Sequence, residues 1–398
     1  MKKRTYPARR LVLATLALSL LACEHLDDNL RDHTSGKEPL PSCVTLEEVA
    51  QILSSVEIGS SQMGEVHDAV TSSTGNGYDE EYTMKDLFAS PGTGVGEDPV
   101  KASAKSYETP LRDLLADAVA ARYGTKAADG GVSADEFLDA LTGSDVQIYW
   151  PFSEGWDGAS APVITFDPED NSDKNYGFVA GENGTLERVI VDEEMARSRP
   201  VWVVNRNDDA SYRSLEVLRR EDPDWGTGGG IISVKGADSG SDIKTWVLRS
   251  FKANRSYDTW FAGASEFFVK CGAVESFTAK TVDDLSLYNP TVTDFMVVVK
   301  RSQIGEEVPF NAVLVSEWTD QLSQVAFMII EDDGGKRTSW KCSSKVTVKS
   351  KVYSFDVDLP LNSSDDIVWR GQLSRRYVEK YSGKTGNFGD VELALELI

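Results

Sequence analysis

The side chains best suited to chemistry at neutral pH are scarce in this chain. It has three histidines, and His25 and His33 stand in a polar N-terminal stretch. Only His67 lies in a segment with a folding pattern, beside Val66 and Val70 on an expected helix, which favours a structural role. A Ser-His-Asp hydrolase would have to use His67, and no Gly-x-Ser-x-Gly elbow accompanies it. There is no His-Glu-x-x-His pair, no Walker A loop and no Gly-x-Gly-x-x-Gly between a strand and a helix. The run from Gly226 to Gly230 opens onto Ile231, Ile232 and Val234, so it reads as a turn into a strand rather than a phosphate cradle. Two-carboxylate chemistry needs only an acid pair at a set distance in space. With 64 acidic side chains, the sequence singles out no such pair.

Tryptophans and oxygen-rich loops are the remaining candidates. Trp202, Trp246, Trp340 and Trp369 sit in strand-like runs and read as core. Trp156 (SEGWDG), Trp225 (DPDWGTG), Trp260 (SYDTWFAG) and Trp318 (SEWTDQ) sit in polar or glycine contexts. An exposed indole beside carboxylates can stack on the apolar face of a pyranose, so these four are candidate ligand-stacking positions. The alternative is that each anchors its own loop. For calcium, loop 125–136 (TKAADGGVSADE) resembles an EF-hand: Gly130 is sixth, Val132 eighth and Glu136 twelfth. Thr125 and Ala127 stand where that pattern needs carboxylates, so a helix-turn-helix is the simpler reading. A second candidate is 167–173 (DPEDNSD) together with Asn205, Asn207, Asp208 and Asp209. Calcium is therefore the one cofactor considered, and the leading expectation is none.

Cysteine usage excludes a structural zinc site, because no Cys-x-x-Cys or Cys/His cluster occurs among the four cysteines. By strand alternation Cys271 shares a face with Phe267 and Val269, and Cys342 shares one with Trp340. A Cys271–Cys342 disulfide is one reading, worth about 4 kcal/mol for so long a loop. Two separately buried thiols are the other. Cys43 is the odd one out.

The elements that would position these residues change character along the chain. Residues 45–145 read as helical. Thr45 and Glu48 form a capping box ahead of Val49, Ile52 and Leu53; Met63, Val66 and Val70 form a stripe; Leu111, Leu114 and Leu115 form another; Ser133 with Glu136 caps a third helix. From Val146 the period becomes strand-like, predicting a small β-rich domain over 146–235 with strands at 146–150, 163–166, 189–191 and 201–204. Residues 236–398 predict an antiparallel β-sandwich, immunoglobulin-like or C2-like. Its strands are expected at 245–251, 266–271, 295–300, 312–315, 326–331, 346–349 and 352–359, with edge strands at 340–342 and 367–369. The expected class is α+β and multidomain.

The N-terminus and the charge indicate location. Lys2, Lys3, Arg4, Arg9 and Arg10 precede an apolar run, 11–22, which is shorter than the ~20 residues a spanning helix needs. The run ends Leu20-Leu21-Ala22-Cys23, which resembles the lipobox of bacterial lipoproteins. That resemblance implies a signal peptide over 1–22, cleavage before Cys23, and acylation of its thiol, with 23–44 as lipid anchor and flexible tether. The acidic stretch Glu24, Asp27 and Asp28 is similar to the surface-export signal of Bacteroidota lipoproteins, and the whole chain resembles the uncharacterised lipoproteins of that group. Removing 1–22 leaves 36 basic against 64 acidic side chains, a charge of −28. Such a body repels phosphate backbones, which argues against nucleic-acid binding. The expectation is an outer-membrane, surface-exposed, non-enzymatic binding or structural protein, its partner a glycan or another envelope protein. Alternatives are a glycan-binding module and a carboxylate-based glycoside hydrolase.

Overall fold

The computed structural model describes residues 39–89, 107–124, 131–180, 185–208, 212–221 and 243–398. The expected signal segment, Cys23, Trp225, loop residues 125–130 and the glycine run at 226–230 lie outside them. The described chain is mixed α+β. Its N-terminal half is built on a six-stranded sheet: β1 (Glu81–Thr83), β2 (Val146–Tyr149), β3 (Val163–Phe166), β4 (Lys174–Ala180), β5 (Leu186–Asp192) and β6 (Val201–Arg206), in the order β1-β2-β6-β3-β4-β5. Its ladders are antiparallel except β3 with β6.

Strand alternation assigns the two faces of this sheet. Val146, Ile148, Trp202 and Val204 point to helices α1 (Leu46–Ser54), α2 (Ser60–Gly75), α4 (Leu111–Tyr123) and α5 (Ala134–Thr142) and share one core with Leu53, Val66, Leu115 and Phe137. The short α3 (Met84–Phe88) adds Met84 and Leu87. Tyr149, Val201 and Val203 point the other way and are covered by α6 (Glu193–Ser198) through Ala196. The helical region and the β-rich region expected as separate domains thus share a core that crosses residue 145. The helices start as the sequence predicts: Thr45 Oγ1 accepts from Glu48 N at 3.2 Å, and Ser133 and Glu136 form a reciprocal capping box.

Residues from 243 onward form two facing antiparallel sheets. One contains β7 (Lys244–Ala253), β10 (Val308–Trp318), β15 (Lys384–Phe388) and β16 (Val391–Leu397), in the order β10-β7-β16-β15. The other contains β8 (Ser265–Ala273), β9 (Thr291–Val299), β11 (Leu322–Glu331), β12 (Arg337–Val348) and β13 (Lys351–Asn362), in the order β13-β12-β11-β8-β9, with β14 (Asp366–Ser374) paired to β11. Between them Trp246, Phe251 and Leu393 meet Phe267, Val269, Phe327 and Ile329, and α8 (Arg375–Tyr381) packs Val378 at the edge of this core. The second sheet is also covered outside, where Phe268, Met296, Met328 and Ile330 meet Tyr78 and Val217, the latter on α7 (Leu215–Glu221). Burial of both faces explains why β8 and β11 are near-continuous apolar runs. The segments expected as separate strands at 340–342 and 346–349 are one strand, β12, paired along its length with β13. Among the described residues, no helix is long and apolar enough to cross a membrane.

The connection between β7 and β8 joins the two halves. It drives Trp260 and Phe261 into the same face of the first sheet that α6 covers, against Tyr149, Val163 and Val203. Trp260 Nε1 donates to the Asp173 carbonyl at 2.9 Å, and Asn205 at the end of β6 donates to the Phe261 carbonyl at 3.0 Å.

Candidate cation centre

The same connection brings three carboxyl groups together. Asp258 lies in the β7–β8 loop, Glu266 is the second residue of β8, and Glu331 closes β11. One ligand oxygen from each lies within 4.8 Å of the others. The main chain around them is fixed from several sides. Tyr257 N donates to Ser265 Oγ at 2.9 Å, and Ala264 N donates to Asp79 Oδ2 at 2.9 Å. Asp332 N donates to the Glu266 carbonyl at 3.1 Å. Arg301 is buried beside the loop and directs its guanidinium to the main-chain carbonyls of Gly263 and Asp258.

Glu331 is the unusual member. It is 0% exposed, no N–H or hydroxyl reaches either of its oxygens, and its hydrogen-bonding neighbour is the Asp258 carboxyl. Burial, then the facing Asp258 carboxyl, then Asp333 and Asp208 push its pKa far above the usual carboxylate range. Asp258 is half-buried and Asp333 is exposed, so the cluster reaches solvent on that side. The donor set is oxygen alone. Such a set can share a proton between two carboxyls or hold a hard divalent cation.

A second acid pair lies nearby in the first half. Glu80 is fully buried, and its Oε1 accepts from Ser153 N at 3.0 Å and Ser153 Oγ at 2.7 Å. Burial and the charge of Asp79 push its pKa up to about 8, against the opposing charge of Lys300. It hydrogen-bonds Glu154, whose pKa is held down, despite burial, by bonds from Glu80 and Ser302. At neutral pH Glu80 is therefore the protonated donor and Glu154 the ionised acceptor. Direct contact sets them closer than the ~5 Å or more that glycosidase carboxyls keep. The shallow pocket beside α8, lined by Trp246, Tyr377, Tyr381, Lys384 and Phe388 among others, holds no carboxylate.

The sequence candidates fare differently. Trp260 and Trp318 are each 2% exposed, Trp260 inserted in the joint and Trp318 packed edge-on against Trp246 at 5.8 Å. Neither offers a face for stacking, because each indole closes a core. Trp156 is half-buried against Trp150 and His67, and its Nε1 donates to the Ser160 carbonyl at 3.1 Å. His67 is wedged between these two indoles, a structural place. Cys271 and Cys342 are both free. Cys271 lies in the core between the facing sheets, whereas Cys342 packs against the outer cluster and donates to the Val357 carbonyl at 3.4 Å, so of the two readings the structure shows separate thiols.

The calcium candidates are also redistributed. Glu136 Oε2 accepts from Ser133 N and Ser133 Oγ, each at 2.8 Å, which directs that oxygen to the helix cap. In the 167–173 loop, Asp167 and Asp170 close turns by accepting from Glu169 N and Ser172 N. Asn205 binds the β7–β8 loop, and Asn207 donates to Glu81 and Gln147. Asp208 of that second candidate acts on the three-carboxyl cluster, and Asp209 lies outside the described residues. Comparison with protein-family models, curated proteins and solved structures finds no match for this chain.

Proposed function

We propose that this chain is a lipid-anchored envelope protein, displayed at the bacterial outer-membrane surface, with a binding or structural role rather than a catalytic one. The observation that carries the reading is Cys23 itself. A basic segment, a short apolar run and Leu20-Leu21-Ala22 precede it, and a polar tether follows it. The use of reactive side chains supports a non-catalytic role. His67 packs between indoles, Cys271 is sealed in the sandwich, and Glu80 is held by Ser153 and Glu154. Of the four tryptophans that the sequence offers for glycan stacking, Trp260 and Trp318 are interior, which leaves Trp225 and the half-buried Trp156.

Labelling cells with radioactive fatty acid tests the anchor. The parent chain should be labelled and sediment with membranes. Cys23→Ser should carry no label and appear in the soluble fraction. Undiminished labelling of Cys23→Ser would overturn the assignment.

A further inference from the structure

We propose that Asp258, Glu266 and Glu331 form a binding site for one divalent cation of the calcium class, which clamps the β7–β8 loop to the end of β11. The argument begins at Glu331. A carboxyl with no exposed surface, no N–H or hydroxyl donor to either oxygen and only acids among the charges that act on it most strongly is among the costliest groups a core can hold. Its neighbours on β11, Ile329 and Ile330, are apolar, so the strand itself gives no reason for an acid there. The group it faces is another carboxyl, and the nearby charges that act on it most strongly belong to Asp258, Asp333 and Asp208.

The spacing fits one ion. Calcium binds oxygen at about 2.3–2.6 Å, so ligands on opposite sides of it lie about 5 Å apart. The three carboxyl oxygens fall within 4.8 Å of one another. Glu266 and Glu331 come from the ends of two paired strands and Asp258 from the β7–β8 loop, so a bound cation would tie the loop to that ladder. Arg301, the buried cation beside the loop, is committed to the Gly263 and Asp258 carbonyls. The absence of thiol and imidazole from this donor set favours a hard ion over zinc or copper. The half-buried Asp258 and exposed Asp333 form the route of entry.

Titration of the chelator-treated full-length chain with calcium, by calorimetry and by terbium luminescence sensitised by tryptophan, tests the site. One cation should bind per chain, with a Kd of about 0.1–1 mM or tighter. Glu331→Gln, nearly isosteric, should weaken binding by at least about tenfold, and Asp258→Asn should do the same. Glu136→Gln, in the EF-hand-like loop, should leave it unchanged. If Glu331→Gln does not fold, Asp258→Asn, at a half-buried position, carries the test. Three results would each overturn the site. The first is no binding of calcium, magnesium or manganese to the parent chain. The second is binding that survives both cluster substitutions. The third is binding lost only in Glu136→Gln.

Discussion

At the scale of single residues, the chain uses its ionisable groups against their ordinary preferences. Glu80 shows the consequence. Its pKa rises from 4.5 to about 8, so between those values the unfolded chain releases a proton that the folded chain keeps. The stability this group contributes is therefore full below the unfolded value and falls as pH rises toward 8, by about 1.4 kcal/mol for each pH unit crossed. Glu80→Gln reproduces the protonated acid: its oxygen accepts from Ser153 and its amide donates to Glu154. Denaturant unfolding should find variant and parent within ~1 kcal/mol near pH 5 and the variant more stable above pH 8. An equal decline in both would refute the assignment. None of this was legible in the sequence, where Glu80 stands beside Asp79 and Glu81 as one of 64 acids. The same holds for the cation centre. Glu266 and Glu331 were visible as acids at the ends of apolar strands, but only pairing of β8 with β11 sets those ends together. By contrast, His67 could be read as structural because its flanking valines already placed it on a packed helix.

Among elements, what the sequence revealed depended on amphipathicity. The helices whose caps and stripes are local, α1 and α5, start where Thr45 and Ser133 predict. Strand β4 (KNYGFVA) was missed because only Phe178 and its neighbours carry apolar weight, and β12 was split because Lys341, Ser343 and Ser344 interrupt its pattern. Tertiary pairing overrides both signals. Gly177 on β4 has a specific reason to be glycine. A Cβ there would sit 2.9 Å from the Ile164 carbonyl oxygen and 2.7 Å from Val191 Cγ2. Gly177→Ala should destabilise the chain by about 1–3 kcal/mol in a urea melt, and no effect would mean the β3–β4 contact is looser than described. The β7–β8 loop is the other decisive element. Trp260 looked like a ligand-stacking residue because its neighbours are Asp258, Gly263 and other polar or small residues. Those neighbours make the turn that lets the indole enter the opposite half. Trp260→Ala should cost about 3–5 kcal/mol, read by thermal or urea unfolding.

For the whole molecule, the proposed anchor and the net charge bear on each other. If Cys23 is acylated as proposed, the mature chain carries a charge of −28, and the roughly 20 residues after Cys23 could span at most about 65 Å. The two halves meet at Tyr78, which packs on the outer face of the second sheet, and at the β7–β8 loop. Calcium binding only the folded chain would stabilise it by about 2.7 kcal/mol at a hundredfold excess over Kd. Scanning calorimetry of the chelator-treated full-length chain, with and without added calcium, tests this joint most directly. The account predicts that calcium raises the midpoint by a few degrees, that chelation reverses the shift, and that Asp258→Asn removes it. Identical midpoints with and without calcium would contradict it.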